Sequence, residues 1–127
     1  MIEPNCDKLV MIVEDDRDVR ESIAEVLEDN QYTVMGAANG REALERLRTS
    51  EKPCVILLDI MMPIMNGWEF REMQEKDPEL SEIPIIVLTA HADIHEAASG
   101  MHAAGMLRKP VKLDSLLSTV DPLCRRH

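Results

Sequence analysis

Glu14, Asp15, Asp16, Asp59, Thr89 and Lys109 are the side chains of this sequence whose types and spacing could do chemistry together. Each of the four positions at which they fall follows an apolar run. Glu14-Asp15-Asp16 comes after Leu9 to Val13, Asp59 after Val55 to Leu58, Thr89 after Ile83 to Leu88, and Lys109 after Met106-Leu107. Three or four carboxylates, one hydroxyl and one ammonium group would share one edge if those runs were neighbouring strands. Carboxylates brought that close raise each other's pKa, and a divalent cation removes the cost. Oxygen-only ligands with room for water point to Mg2+ rather than zinc.

Taken singly, each residue has a plainer role. The acidic triplet could cap the helix that follows, since acids favour a helix N-terminus. Thr89 is at home in a strand, and a strand-end lysine is usually solvated. Asp59 resists that treatment, because it ends a run of four apolar residues. The argument rests on the combination at four strand ends.

The elements that would position these residues are legible as alternating patterns. Leu9 to Val13 is apolar throughout, as a parallel strand buried on both faces should be. Asp16 to Asn30 carries Val19, Ile23, Val26 and Leu27 at helical spacing. Thr33 to Ala37 is a second strand, and Ala43, Leu44 and Leu47 stripe a helix that starts at Asn39-Gly40 and ends near Ser50. The third run ends at Asp59. A loop with proline and glycine leads to a helix from Trp68 to Lys76, where Trp68 and Phe70 should cover the core. After the fourth run, Ile94, Ala97, Ala98 and Met101 mark another helix. The short fifth strand ends at Lys109-Pro110, and the last helix carries Leu113, Leu116, Leu117 and Val120. Five strand–helix repeats predict an α/β fold, a doubly wound five-stranded parallel sheet with five helices on both faces. In such a sheet the binding site lies beyond the carboxyl ends of the strands, where the candidate residues sit.

Four stretches resemble the response-regulator receiver family of two-component signalling: Val13-Glu14-Asp15-Asp16 with Arg20; Leu57-Leu58-Asp59-Ile60-Met61-Met62-Pro63 with Asn66-Gly67; Pro84-Ile85-Ile86-Val87-Leu88-Thr89-Ala90; and Lys109-Pro110. Their order and spacing together are specific, and the resemblance covers roughly Lys8 to Leu123 of a single domain spanning 1–127. It implies strand order 2-1-3-4-5, as in chemotaxis-type single-domain receivers. It implies Asp59 as phosphoacceptor, Asp15 as a direct Mg2+ ligand, Glu14 acting through water, and the backbone carbonyl of Met61 as a further ligand. Thr89 would bind the phosphoryl group and Lys109 would pair with it, while Asp16 has no role beyond a cap. The phosphate donor would be a phosphohistidine of a sensor histidine kinase or a phosphotransfer protein. Such a domain is a signalling module, catalysing only its own phosphoryl transfer and dephosphorylation. The resemblance also raises the expectation that Lys109–Pro110 is cis.

The chemistry agrees with that assignment. A carboxylate attacks phosphorus in line, a metal spreads the charge that develops, and Lys109, Thr89 and backbone N–H groups supply further stabilisation. The sequence departs from the family pattern at Met106, where an aromatic residue is common, at His102, where glycine is common, and at Ile64, a loop position often small or acidic. Met106 implies a switch without a swinging ring. Activation is expected to repack the face made by the fourth helix, fifth strand and fifth helix around Ile94, Met106 and Leu116, the place for an output partner or a homodimer. Two other readings compete. A docking module that is never phosphorylated would have no use for the acidic pair, Asp59, Thr89 and Lys109. A flavodoxin-like binder or small phosphohydrolase would want a glycine- or hydroxyl-rich phosphate loop after the first strand, where this chain puts acids.

Composition bounds the rest. With 127 residues, 45% hydrophobic and 30% charged, the chain suits one globular domain. The net charge of −10 disfavours binding to nucleic acid. No apolar run approaches a membrane span, and no signal peptide opens the sequence, so a cytoplasmic location is expected. Too few residues follow Val120 for a DNA-binding domain, so the sequence is expected to be a stand-alone receiver or a fragment of something longer. Cys6, Cys54 and Cys124, odd in number and far apart, suggest neither a disulfide framework nor a zinc knuckle. His91 and His95 read as exposed helix residues, Met61, Met62 and Met65 as packing, and Glu42 with Arg46 as an i,i+4 pair.

Overall fold

The computed structural model describes residues 8–90 and 100–124. Five short strands, β1 (Leu9–Val13), β2 (Thr33–Ala37), β3 (Val55–Asp59), β4 (Ile85–Thr89) and β5 (Gly105–Arg108), form one parallel sheet in the order β2-β1-β3-β4-β5. Among the described residues four helices accompany it: α1 (Arg17–Asp29), α2 (Gly40–Thr49), α3 (Gly67–Glu75) and α4 (Leu113–Cys124). The helix expected around Ile94, Ala97 and Ala98 falls outside the described residues, as do His91 and His95, and α4 is therefore the helix expected as the fifth.

β1, β3 and β4 are buried at every position. Their residues alternate between two cores, as a period of two demands. Met11, Val13, Ile56, Leu58, Ile85 and Val87 pack with Ala43, Leu44 and Leu47 of α2 and Phe70 of α3. Val10, Ile12, Leu57, Ile86 and Leu88 pack with Ile23 and Leu27 of α1 and Leu116 and Val120 of α4. β2, at the sheet edge, buries only Ala37 fully.

The helix boundaries follow their caps. Asp16 is the N-cap of α1, accepting from the backbone N–H of Asp18 at 2.9 Å and of Val19 at 3.2 Å. Asn66 and Glu69 form a reciprocal capping box on α3, with both bonds at 2.9 Å. β4 starts at Ile85 rather than Ile83, because Pro84 ahead of it has no N–H to give the ladder.

Three expectations are corrected. Trp68 does not cover the core: it is 48% exposed, whereas Phe70, two residues on and across the helix, is fully buried. Met61 is likewise exposed while Met62 and Met65 pack inward. The cysteines do pair: Cys54 and Cys124 are joined by a disulfide with their Cα atoms 5.3 Å apart. They lie 70 residues apart in sequence, but the start of β3 and the end of α4 meet at the amino edge of the sheet. Glu42 and Arg46 form the expected exposed pair at 3.5 Å.

Candidate functional site

All four strand ends named from the sequence meet at the carboxyl edge of the sheet. They border a cleft of about 240 Å³ walled by Glu14, Asp15, Asp16, Asp59, Met61, Thr89, Ala90 and Lys109. Glu14, Asp59 and Thr89 are buried, and Asp15 is exposed at the mouth. One carboxylate oxygen from each of Glu14, Asp15 and Asp59 lies within 4.8 Å of the other two.

Lys109 enters from just beyond β5, with its backbone N–H bonded to the Thr89 carbonyl at 3.0 Å. Its ammonium stands 2.6 Å from Glu14 Oε1 and 3.3 Å from Asp59 Oδ2. Glu14 Oε2 accepts from the Asp16 N–H at 3.1 Å, and Asp59 Oδ1 accepts from the Met61 N–H at 3.2 Å. Glu14 Oε1 is buried, and its partner is the Lys109 ammonium. The Lys109–Pro110 bond is cis.

The electrostatics follow from that geometry. Burial pushes the Asp59 carboxyl up, the negative field of Glu14 pushes it further, and Lys109 and the Met61 N–H pull back, leaving it at about 7. Burial also opposes the charge on Lys109. Its bond to Glu14 and the fields of Asp59 and Glu14 outweigh that, so its pKa is raised. One ammonium thus does not compensate three carboxylates. A cation fits this donor set: three carboxylate oxygens are clustered, a single ammonium faces them, and solvent reaches the site at Asp15.

Two supports of the site carried no role in the sequence reading. Arg20, quoted there only as part of a motif, reaches back from α1 so that its Nη1 donates to the Glu14 carbonyl at 2.6 Å. Its aliphatic stem lies over Gly36 of β2, where an added Cβ would come within 3.3 Å of Arg20 Cδ. Gly67 starts α3 directly against the end of β3. A Cβ there would lie 2.8 Å from Ile60 Cα and 3.0 Å from the Asp59 carbonyl oxygen, so only glycine permits this approach. An i,i+6 side-chain to backbone bond and a backbone-to-backbone approach have no periodic signature in sequence.

The two loop departures at His102 and Ile64 both fall on left-handed backbone, with φ of 57° and 69°. Glycine or a small polar residue is common there because side chains with a Cβ are disfavoured in that region. Met106 is partly buried beside Val87, its neighbour on β4, and packs against the core on that face.

A parallel sheet in this order, with acids after its first strand, an aspartate ending its third and a lysine beyond its fifth, is the arrangement of the receiver modules of two-component signalling. The chain belongs to the response regulator receiver domain family, whose model matches residues 10–121. A similar protein is the response regulator MprA of Mycolicibacterium vanbaalenii, 40% identical over 120 residues, which make up 92% of this chain and 50% of that protein. The MprA protein of Mycobacterium ulcerans matches over the same shares, also at 40%. The chain spans about half the length of these relatives. Among solved structures, a putative response regulator from Chloroflexus aurantiacus superposes with a TM-score of 0.86 at 30% identity, covering 94% of this chain and 98% of that one. The chemotaxis response regulator CheY4 of Vibrio cholerae gives 0.82 at 31% identity, over 91% and 97%. No helix among the described residues is long and apolar enough to cross a membrane.

Proposed function

We propose that Asp59 is the phosphoacceptor of this receiver, taking its phosphoryl group from the phosphohistidine of a sensor kinase or phosphotransfer protein in the cytoplasm. The observation that carries this reading is the buried Asp59 carboxylate with Lys109 Nζ at 3.3 Å and the Glu14 and Asp15 oxygens beside it. Asp59 offers one oxygen to the open cleft as nucleophile, while its other contacts fix the carboxylate plane. Lys109 holds the charge of the incoming phosphoryl oxygens, and the Thr89 hydroxyl binds one of them. Asp15, Asp59 and the Met61 carbonyl would hold Mg2+, with Glu14 acting through water. When bound, the cation spreads the negative charge of the transferring group and neutralises the acidic cluster.

The domain is thereby a signalling module whose chemistry is confined to its own aspartate. Phosphorylation draws Thr89 toward the new oxygens, and Met106, beside Val87 two residues before it on β4, repacks without a ring having to swing. The face made by β5 and α4 changes with it, which suits an output partner or a second copy. Incubation with acetyl phosphate and Mg2+ should add one phosphoryl group, labile to hydroxylamine. Asp59→Asn should take up none, and full labelling of that variant would remove Asp59 from this role.

A further inference from the structure

Away from the phosphorylation cleft, at the opposite edge of the sheet, Cys54 and Cys124 close a loop that contains Asp59, Thr89 and Lys109. Cys124 is fully buried at the end of α4, in the core that also holds Val10, Tyr32, Val55 and Val120. Cys54 is only partly buried, the less enclosed of the two residues, and so the one an external thiol would approach.

We infer that this pair is a redox modification site, a reversible fastening between β3 and the C-terminal helix. Two observations favour reversal over a permanent staple. A domain of this size with two filled cores holds together without cross-links. Both sulfurs are also accommodated when reduced. Cys54 Sγ lies 3.2 Å from the Leu9 carbonyl oxygen, to which a thiol can donate and a disulfide sulfur cannot. Cys124 sits among apolar side chains, where a thiol packs as a small hydrophobe.

The exchange partner is a low-molecular-weight thiol and its disulfide, of the glutathione class. On reduction an external thiolate attacks Cys54 Sγ, the bond to Cys124 breaks, and Cys124 leaves as thiolate and takes up a proton. A second external thiol then attacks the outer sulfur of the mixed disulfide. It releases Cys54 and leaves one small disulfide for each protein disulfide consumed. Oxidation runs the same steps backward. What changes is the freedom of α4: the cross-link ends at its last residue, so reduction should let its terminal turns open more often.

The test uses the full chain equilibrated across ratios of reduced to oxidised glutathione. The thiol count should fall reversibly from three to one across that range, with a cross-linked peptide carrying Cys54 and Cys124. The reduced form should melt lower by on the order of 10 °C, and amide exchange should accelerate in Leu113–Cys124 first. Cys54→Ser should melt at the reduced value whatever the ratio, Cys124→Ala should do the same if it folds, and Cys6→Ser should keep the full response. The inference is overturned if the pair stays as thiols at every ratio, stays cross-linked in excess reduced glutathione, or pairs through Cys6. It is equally overturned if oxidised and reduced forms share one melting temperature.

Discussion

The guanidinium of Arg20 donates to the backbone carbonyl of Glu14 at 2.6 Å, tying the first turns of α1 to the strand end that carries the acidic pair. Arg20 touches no group assigned to the chemistry, yet it fixes the carbonyl between two carboxylates that must converge.

Arg20→Ala should therefore weaken Mg2+ binding by roughly ten-fold, as loss of an outer support does at metal sites. Arg20→Lys, which keeps one donor, should recover part of that. A Mg2+ titration followed by Trp68 fluorescence measures it directly. Trp68 is half exposed at the start of α3 and reports on the loop after Asp59. Equal affinity in wild type and Arg20→Ala would mean that the loop holds its shape unaided.

The cation-free protein should lose stability as pH rises from about 4 to about 7. Asp59 has a folded-state pKa of about 7 against an ordinary 3.8, so in that window the folded state holds a proton that the unfolded chain has released. Deprotonation then favours unfolding. Melting curves at pH 5 and pH 8 in chelator should show the difference. Asp59→Asn should flatten the dependence, and added Mg2+ should restore stability to the wild type at pH 8. A wild-type melting temperature that climbs across this window would contradict the pKa shift.

His102→Gly and Ile64→Gly should each stabilise the domain, by about 1 kcal/mol. Both residues hold positive φ, and neither loses a core contact: Ile64 is 72% exposed. The distant ion pair from His102 to Glu75, at 3.9 Å on the surface, is worth little by comparison. Urea midpoints at constant slope are the measurement, and a lower midpoint for either variant would show that the side chain matters more than the backbone.

Gly67→Ala should cost about 1–3 kcal/mol and slow phosphorylation from acetyl phosphate. The added methyl meets backbone atoms of Asp59 and Ile60, which can yield only if the strand end itself moves. Normal labelling with reduced stability would separate the packing cost from any effect on Asp59.

Gln74→Leu should destabilise by about 1–3 kcal/mol. Gln74 is fully buried, and its Nε2 donates to the carbonyls of Leu80 at 2.8 Å and Ile83 at 3.1 Å on the way into β4. Leucine fills the volume and leaves both acceptors buried without a donor. Thermal melts should show a loss, and an unchanged melting temperature would mean water replaces the amide.

The fold was legible because its strands are short uninterrupted apolar runs and its helices carry apolar stripes, patterns set by a few neighbouring residues. The site was legible for a related reason: parallel topology sends every strand end to one edge, so Glu14, Asp15, Asp59, Thr89 and Lys109 needed only their places in the chain. What escaped depends on distant meetings or on side-chain direction. Nothing local brings Cys54 to Cys124, or Arg20 to the Glu14 carbonyl. Trp68 and Phe70 are equally apolar on paper, and only the rotation of α3 decides which one faces inward. His102 and Ile64 stood out as departures from glycine and from a small or acidic residue, but the backbone angle both positions share is not carried by composition.

β1 lies between two partners, β2 and β3, that both follow it in the chain. During synthesis its five apolar residues cannot complete their pairing until Val55 to Leu58 have left the ribosome. The roughly 45 residues that separate Val13 from its partner Leu58 take about two to ten seconds to translate. For that interval the sequence Leu-Val-Met-Ile-Val is an open strand edge on a growing chain. A nascent receiver of this order is therefore open to mispairing through β1 until β3 arrives. Codon changes that slow elongation between β2 and β3 should raise aggregation without altering the finished protein.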